Sequence, residues 1–364
     1  MSPRPVLILA GGTGGHIFPG IAVADALRAR GVAVAWLGSE GGLESRLAPE
    51  AGIPFHGIAV AGLRGKGISS WLAAPWRLAR ALIAAMRVLR SVDPLVAVSF
   101  GGYAAGPGGL ATALAGTPLV VHEQNSVPGL TNRTLALVAR RVLAGFAGVL
   151  PGRRAVHVGN PVRAEIAALP TPEVRLADRT PGSPLRLLVL GGSQGARALN
   201  RAVPMALAAL ATASDAAPIV VRHQAGRSLI EEARVAYRDA AVEADIQPFI
   251  ADMAEAWGWA DLVVCRAGAL TLAEVCAAGI GSVLVPFPHA VDDHQTRNAE
   301  ALVERGAAVL VPETPQLAGV LANVIGRLAR SPQLRMDMAR AARHLALPDA
   351  AERIADVVLA EAHA

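Results

Sequence analysis

A histidine placed directly after a glycine run, Gly11-Gly12-Thr13-Gly14-Gly15-His16, is where this sequence first offers chemistry. The run follows five apolar residues, Val6 to Ala10, and opens a helical stretch whose apolar positions Ile17, Ile21, Val23 and Leu27 fit a buried face. Unhindered amides at a helix N-terminus attract anions, and a histidine beside that positive end gives up its proton readily, which suits a general base. Blander readings stand beside these: the glycines serve tight strand-to-helix packing, and His16 only caps or hydrogen-bonds. The spacing is not the dinucleotide fingerprint, since Ile17 stands where the last glycine belongs, nor a Walker A loop. Gly62-Leu63-Arg64-Gly65-Lys66 also lacks the glycine interval and the Ser or Thr of that loop.

Three further clusters share this placement after an apolar run. His122-Glu123-Gln124-Asn125 puts four polar side chains at the carboxyl end of Leu119-Val120-Val121, where open α/β sheets bind ligands, and suits a hydroxyl-rich substrate; a solvated loop is the alternative. His122 carries the same two readings as His16. Arg266 to Glu274 follows Leu262–Cys265 and starts another helix. Thr271 and Glu274 have capping-box spacing, while a carboxylate in that first turn also suits a ribose diol. Pro286-Phe287-Pro288-His289 and Asp292 to Asn298 concentrate polar groups in a loop. Asp292, Asp293 and His294 are not read as a metal site, because adjacent residues rarely converge on one ion.

The elements that must hold these clusters are βα units. Short apolar runs, each ending at a turn and followed by a helical stretch, recur at Val6–Ala10, Val32–Leu37, Leu95–Ser99, Leu119–His122 and Arg141–Ala144. They recur again at Leu185–Leu190, Ile219–Arg222, Leu262–Cys265, Ser282–Val285 and Ala308–Val311. This predicts buried parallel sheets. The pattern starts twice, each time with a glycine turn after the first strand, Val6-Leu-Ile-Leu-Ala-Gly-Gly and Leu187-Leu-Val-Leu-Gly-Gly, so the class is α/β with two Rossmann-like halves. Val158 to Arg163 reads as a hinge, Leu169 to Pro184 as surface connection, and the crevice between the halves as the ligand site.

Composition agrees. The chain has 364 residues, 53% hydrophobic and 17% charged, enough for two cored domains and too apolar for disorder. The cationic surplus is five, and 13 aromatic residues form no interleaved basic run, so a nucleic-acid partner is not expected. Cys265 and Cys276 are too few for a disulfide framework or a structural zinc site and suit a reducing compartment. The run Val6–Ala10 is too short for a signal-peptide core. Leu95 to Val121 is uncharged but broken by glycines and prolines, so it reads as strand, loop, helix and turn, not as a span. Ile68 to Arg90 reads differently: Trp71, Leu72, Trp76, Leu82, Ile83 and Met86 share one broad helical face flanked by Arg77, Arg80, Arg87 and Arg90. Such a helix suits an anionic membrane surface.

Taken in order, Gly11–His16, Gly62-Leu-Arg-Gly-Lys-Gly67, Gly101-Gly-Tyr103, His122–Asn125, Gly159-Asn-Pro-Val-Arg163, Gly191-Gly-Ser-Gln-Gly-Ala196 and Thr271-x-x-Glu274 closely resemble the MurG family. Its members are the undecaprenyl-diphospho-muramoylpentapeptide N-acetylglucosaminyltransferases of peptidoglycan synthesis. The resemblance runs from Val6 to the final helix. It implies a GT-B fold, with residues 1–160 as an acceptor- and membrane-facing domain completed by a helix at about 347–364, and 161–346 as the UDP-GlcNAc domain. A helix beginning at Asp349-Ala-Ala-Glu352 fits that crossing element.

The resemblance also implies roles. Thr13, Gly14 and Gly15 meet a diphosphate; Asn125 and Gln295 contact sugar; Arg163 and Ser193 serve the donor phosphates. Ile250 and the Ala269-Leu270-Thr271 turn hold uracil, Glu274 the ribose, and Tyr103, Leu272, Ala273 and Asn298 complete the substrate-binding set. Ala267 stands where the family often has serine, and the loop from His289 to Gln295 reads differently, which loosens the placement of Gln295. The implied reaction is inverting transfer of GlcNAc from UDP-GlcNAc to the 4-hydroxyl of a lipid-linked muramoyl-pentapeptide. It takes place at the cytoplasmic face of the bacterial inner membrane, without a bound cofactor, beside other cell-wall synthesis proteins. His16 is the expected base, with His122 and Glu123 in reserve. A UDP-GlcNAc 2-epimerase or a non-catalytic nucleotide-sugar sensor are the competing readings.

Overall fold

The computed structural model of the chain describes residues 4–60, 74–150, 155–180, 182–192, 194–212 and 217–363. The expectations placed on Gly62–Gly67, Trp71, Leu72 and Ser193 lie outside the described residues. Two units emerge, residues 1–162 with 347–364, and residues 163–346.

The first unit is built on a parallel sheet of seven strands in the order β3-β2-β1-β4-β5-β6-β7. These are β1 (Val6–Ala10), β2 (Val34–Ser39), β3 (Phe55–Ile58), β4 (Val96–Gly101), β5 (Leu119–Glu123), β6 (Arg141–Ala144) and β7 (Val156–His157). Both faces are covered, and alternate residues of one strand enter different cores. Val6 and Ile8 pack with the helices Gly14–Ala29 and Ala350–Ala362, whereas Leu7 and Leu9 pack with Ala85, Leu89 and Ala111. The final helix therefore belongs to this unit, tied by Arg30 to Asp356 at 2.6 Å and by Arg141 to Glu361 at 2.7 Å.

The second unit repeats the plan with six strands, β10-β9-β8-β11-β12-β13. They are β8 (Leu185–Leu190), β9 (Ile219–Gln224), β10 (Asp245–Gln247), β11 (Leu262–Cys265), β12 (Gly281–Leu284) and β13 (Ala308–Leu310). In each sheet the order reverses beside the first strand, between β1 and β4 and between β8 and β11. That is the switch point where such sheets open a crevice at their carboxyl ends. Each glycine turn sits there.

β3, β7 and β10 were not expected from the sequence. They are short or polar strands at or beside sheet edges, without the apolar run that marks a buried strand. Leu169 to Pro184 is not free surface connection: it carries a short helix, Pro172–Arg175, and Arg175 donates to the carbonyls of Ala260 and Gly279. Leu95 to Val121 does form strand, loop and the helix Ala105–Leu114.

The helix Ala74–Val92 corrects the single broad face read from the sequence. Ala81, Ala85 and Leu89 are buried, with Leu82 and Met86 packed beside them. Trp76, 70% exposed, and Ile83, 53% exposed, lie on the opposite stripe with Arg80, Arg87 and Arg90, following the helical spacing of four and three. Among the described residues no helix is long and apolar enough to cross a membrane.

Candidate active site

In the first unit β1 ends at Ala10, and Gly11 donates its amide to Gly101 O across the switch point at 3.2 Å. The approach is close: a Cβ on Gly102 (φ +97°) would lie 2.1 Å from Gly11 O. A buried carboxylate fixes the turn from below. Glu44 Oε2 accepts from Gly12 N at 3.1 Å and Oε1 from Ser39 N at 2.8 Å, and a Cβ on Gly11 would fall 2.2 Å from that Oε1. Thr13 is the N-cap of the helix Gly14–Ala29 and makes no side-chain cap. The first amides of the helix are therefore left for an anion.

His16 lies in the first turn of that helix, half-buried. Its Nδ1 stands 3.2 Å from Gln124 Oε1, just past β5. Gln124 Nε2 donates to His122 O at 3.2 Å and lies 3.2 Å from His122 Nδ1, while His122 Nε2 donates to Gly159 O at 2.9 Å. His122 is fully buried, and burial lowers its pKa from 6.5 to about 4, opposed in part by the Gly159 hydrogen bond. Glu123 is 1% exposed, and its two oxygens accept from Asn125 N, Asn125 Nδ2, Gly129 N and Asn132 Nδ2 at 2.9 to 3.3 Å. It shapes the loop that presents Asn125. Tyr103, 55% exposed, follows the Gly101-Gly102 turn.

The second unit builds with charge. Arg163 Nη2 donates to Glu274 Oε1 at 2.7 Å and its Nε to the same oxygen at 3.2 Å, while Trp257 Nε1 donates to Glu274 Oε2 at 3.2 Å. The helix Ala269–Ala278 begins after Gly268, with no side-chain cap. Gly191 donates to Gln224 O at 3.0 Å, and Gly192 and Gly195 take positive φ in the second glycine turn. Ile250 is buried and spends its amide on Gln224 Oε1 at 3.1 Å. Gln295 Oε1 accepts from Phe287 N at 2.9 Å, anchoring the loop after β12.

Residues 6–144 match the glycosyltransferase family 28 N-terminal domain and residues 186–354 its C-terminal domain. The UDP-N-acetylglucosamine--N-acetylmuramyl-(pentapeptide) pyrophosphoryl-undecaprenol N-acetylglucosamine transferase of Xanthomonas campestris pv. campestris is 62% identical over 99% of this chain and 83% of its own length. The Xylella fastidiosa protein of the same name is 59% identical over 98% and 96%. The crystal structure of Acinetobacter baumannii MurG superposes with a TM-score of 0.84 at 38% identity, covering 98% of this chain and all of that one. The chain belongs to the MurG family.

Several residues expected to serve this MurG-like site are held by contacts of their own within their unit. His122 and Glu123 are not available as bases, because both are buried with their polar atoms committed inside the unit. Asn298 is fully buried and donates to Ala267 O at 3.2 Å, supporting the turn before Ala269. Leu272, 1% exposed, faces the core. Thr271 and Glu274 form no capping box: the N-cap is Gly268, and both carboxylate oxygens of Glu274 accept from Arg163 and Trp257. The contacts that Glu44, Gln124 and Trp257 make beside the expected site residues were not read from the sequence. Gln124 stood in a polar motif, but the others join their partners over 32 and 17 residues with no local spacing to betray them.

Proposed function

We propose that the chain transfers GlcNAc from UDP-GlcNAc to the 4-hydroxyl of undecaprenyl-diphospho-MurNAc-pentapeptide, a step of peptidoglycan synthesis, with inversion at the anomeric carbon. The whole-chain identity with the Xanthomonas transferase carries the assignment. In one displacement the hydroxyl attacks as UDP leaves from the opposite face, so no enzymatic nucleophile is needed. His16 takes the hydroxyl proton; the helix end at Thr13, Gly14 and Gly15 meets a diphosphate. Arg163 and Ser193 balance the departing UDP, Ile250 and Ala269–Thr271 hold uracil, and Glu274 holds the ribose. Asn125, Tyr103, Ala273 and Gln295 border the sugars.

The acceptor's lipid supports work at a membrane surface, and we place the enzyme peripherally at the cytoplasmic face of the inner membrane. Trp76 and Ile83 enter the interface while Arg77, Arg80, Arg87 and Arg90 meet anionic headgroups. Incubating the protein with labelled UDP-GlcNAc and lipid-linked muramoyl-pentapeptide tests the assignment. A β-linked disaccharide lipid is the expected product. Acceptor-independent conversion of UDP-GlcNAc would favour an epimerase, and binding without turnover a sensor.

A further inference from the structure

We infer that Gln124 is a positioning residue that fixes which nitrogen of His16 carries the lone pair; this rests on His16 being the base. The chain of hydrogen bonds from His16 to Gly159 is anchored by two groups whose roles are unambiguous. His122 O, a carbonyl, can only accept, so the side of the Gln124 amide that contacts it at 3.2 Å must be Nε2. Gly159 O can likewise only accept, so His122 Nε2 must carry a proton. A buried His122 whose pKa falls to about 4 is neutral, leaving its Nδ1 to accept from Gln124 Nε2 at 3.2 Å. Both contacts orient the amide the same way, and Oε1 is left facing His16 Nδ1 at 3.2 Å.

An amide oxygen cannot donate, so His16 Nδ1 carries the proton and Nε2 holds the lone pair. Proton uptake then proceeds without rearrangement: Nε2 receives the acceptor hydroxyl's proton while Nδ1–H keeps its bond to Oε1. Gln124 is itself 1% exposed, and its backbone carbonyl accepts from Asn160 Nδ2 at 2.9 Å, which holds in place the backbone that carries the amide. A neutral partner also differs in kind from a carboxylate. It orients the ring without adding a charge that would hold the imidazolium and blunt its return to the base form. No sequence motif announces this, because the glutamine and the histidine stand 108 residues apart.

The test combines ¹⁵N imidazole shifts of the full chain with kinetics. In the wild type, neutral His16 is expected with Nε2 unprotonated and Nδ1 protonated; a neutral His16 protonated on Nε2 overturns the proposal without any variant. Gln124→Met removes all three side-chain hydrogen bonds at similar volume. It is expected to lower kcat roughly 100-fold through loss of the correct tautomer, with KM for both substrates within about 2-fold, since no binding group is touched. Gln124→Glu restores an acceptor for Nδ1–H. It should regain part of kcat while its acidic limb in the pH–rate profile moves up by about one unit or more. A folded Gln124→Met variant with wild-type kcat and an unchanged ¹⁵N pattern defeats the orienting role. The outcomes remain separable from those for the base: if His16→Ala turns over normally the base reading itself fails, whereas an inactive His16→Ala beside an unaffected Gln124→Met sinks only the role of Gln124.

Discussion

The two units place a glycine turn at the same point of the same topology, yet they furnish it oppositely. In the first, the groups around the turn are imidazole and amide side chains, His16, Gln124, His122, Asn132 and Asn160, with Glu123 and Glu44 accepting from backbone and side-chain amides. In the second, an arginine and a glutamate meet directly, and a second pair, Arg266 with Glu313 at 2.6 Å, lies close by in sequence to the same helix start. Under the proposed roles, a base that must stay uncharged until it acts is surrounded by dipoles. Under the same proposed roles, a departing diphosphate, which carries charge into the product, is met by formal charge. One scaffold supplies helix-end amides to both, and the side chains added afterwards divide the work.

The contrast can be pressed first through acid stability, where the largest effect is expected. Each unit has one fully buried histidine with a depressed pKa, His122 at about 4 and His223 at about 3, both from burial. The folded values lie below 6.5, so between pH 6.5 and about 4 the unfolded chain binds protons that the folded chain refuses. Their stabilisation is complete above pH 6.5 and falls as the pH drops. By pH 4.5 the loss amounts to roughly 3 kcal/mol for each histidine. Urea unfolding at pH 7 and pH 4.5 measures it. A His223→Gln variant should show a shallower dependence, and an equal slope would remove His223 from the account.

Glu274→Ala comes next. Arg163 and Trp257 Nε1 lose their shared acceptor, and donor affinity measured calorimetrically should fall by about 2 kcal/mol, roughly 30-fold, with little change in acceptor KM. If acceptor KM moves instead, the assignment of charge to the donor side is wrong. Glu44→Ala should cost about 1–3 kcal/mol by leaving the buried Ser39 amide without its acceptor and releasing the Gly12 amide at the turn, read as a lowered Tm. Smallest is the effect expected at the exposed arginine stripe proposed to meet the membrane. Arg80→Ala and Arg87→Ala should each weaken binding to anionic vesicles by about 1 kcal/mol, and less at high salt. Salt-independent binding would point away from headgroup contact.

How much of this was written locally varies with the kind of signal. β1, β6, β8 and β11 announced themselves because a strand buried on both faces needs an unbroken apolar run, and the glycine turns because close strand-to-helix passage excludes side chains. β3 and β10 stayed silent because polar residues suffice at a sheet edge. Thr271 and Glu274 show the converse: the spacing of a capping box was present, but Arg163, 111 residues earlier, took the carboxylate. His122 and Asn298 looked like ligand-facing groups because polarity is visible in sequence and burial is not. The exposed stripe of Trp76 and Ile83 was legible only in part, since helical periodicity could not separate the packed Leu82 and Met86 from it.

The central claim is that the first unit's neutral surroundings make His16 the proton acceptor, independent of donor binding. Single-turnover transfer and UDP-GlcNAc binding measured together on His16→Ala test it most directly. The account predicts a rate lowered roughly 100- to 10,000-fold with the donor Kd within about 2-fold of wild type. Transfer near the wild-type rate, or a loss of turnover matched by an equal loss of donor affinity, would contradict it.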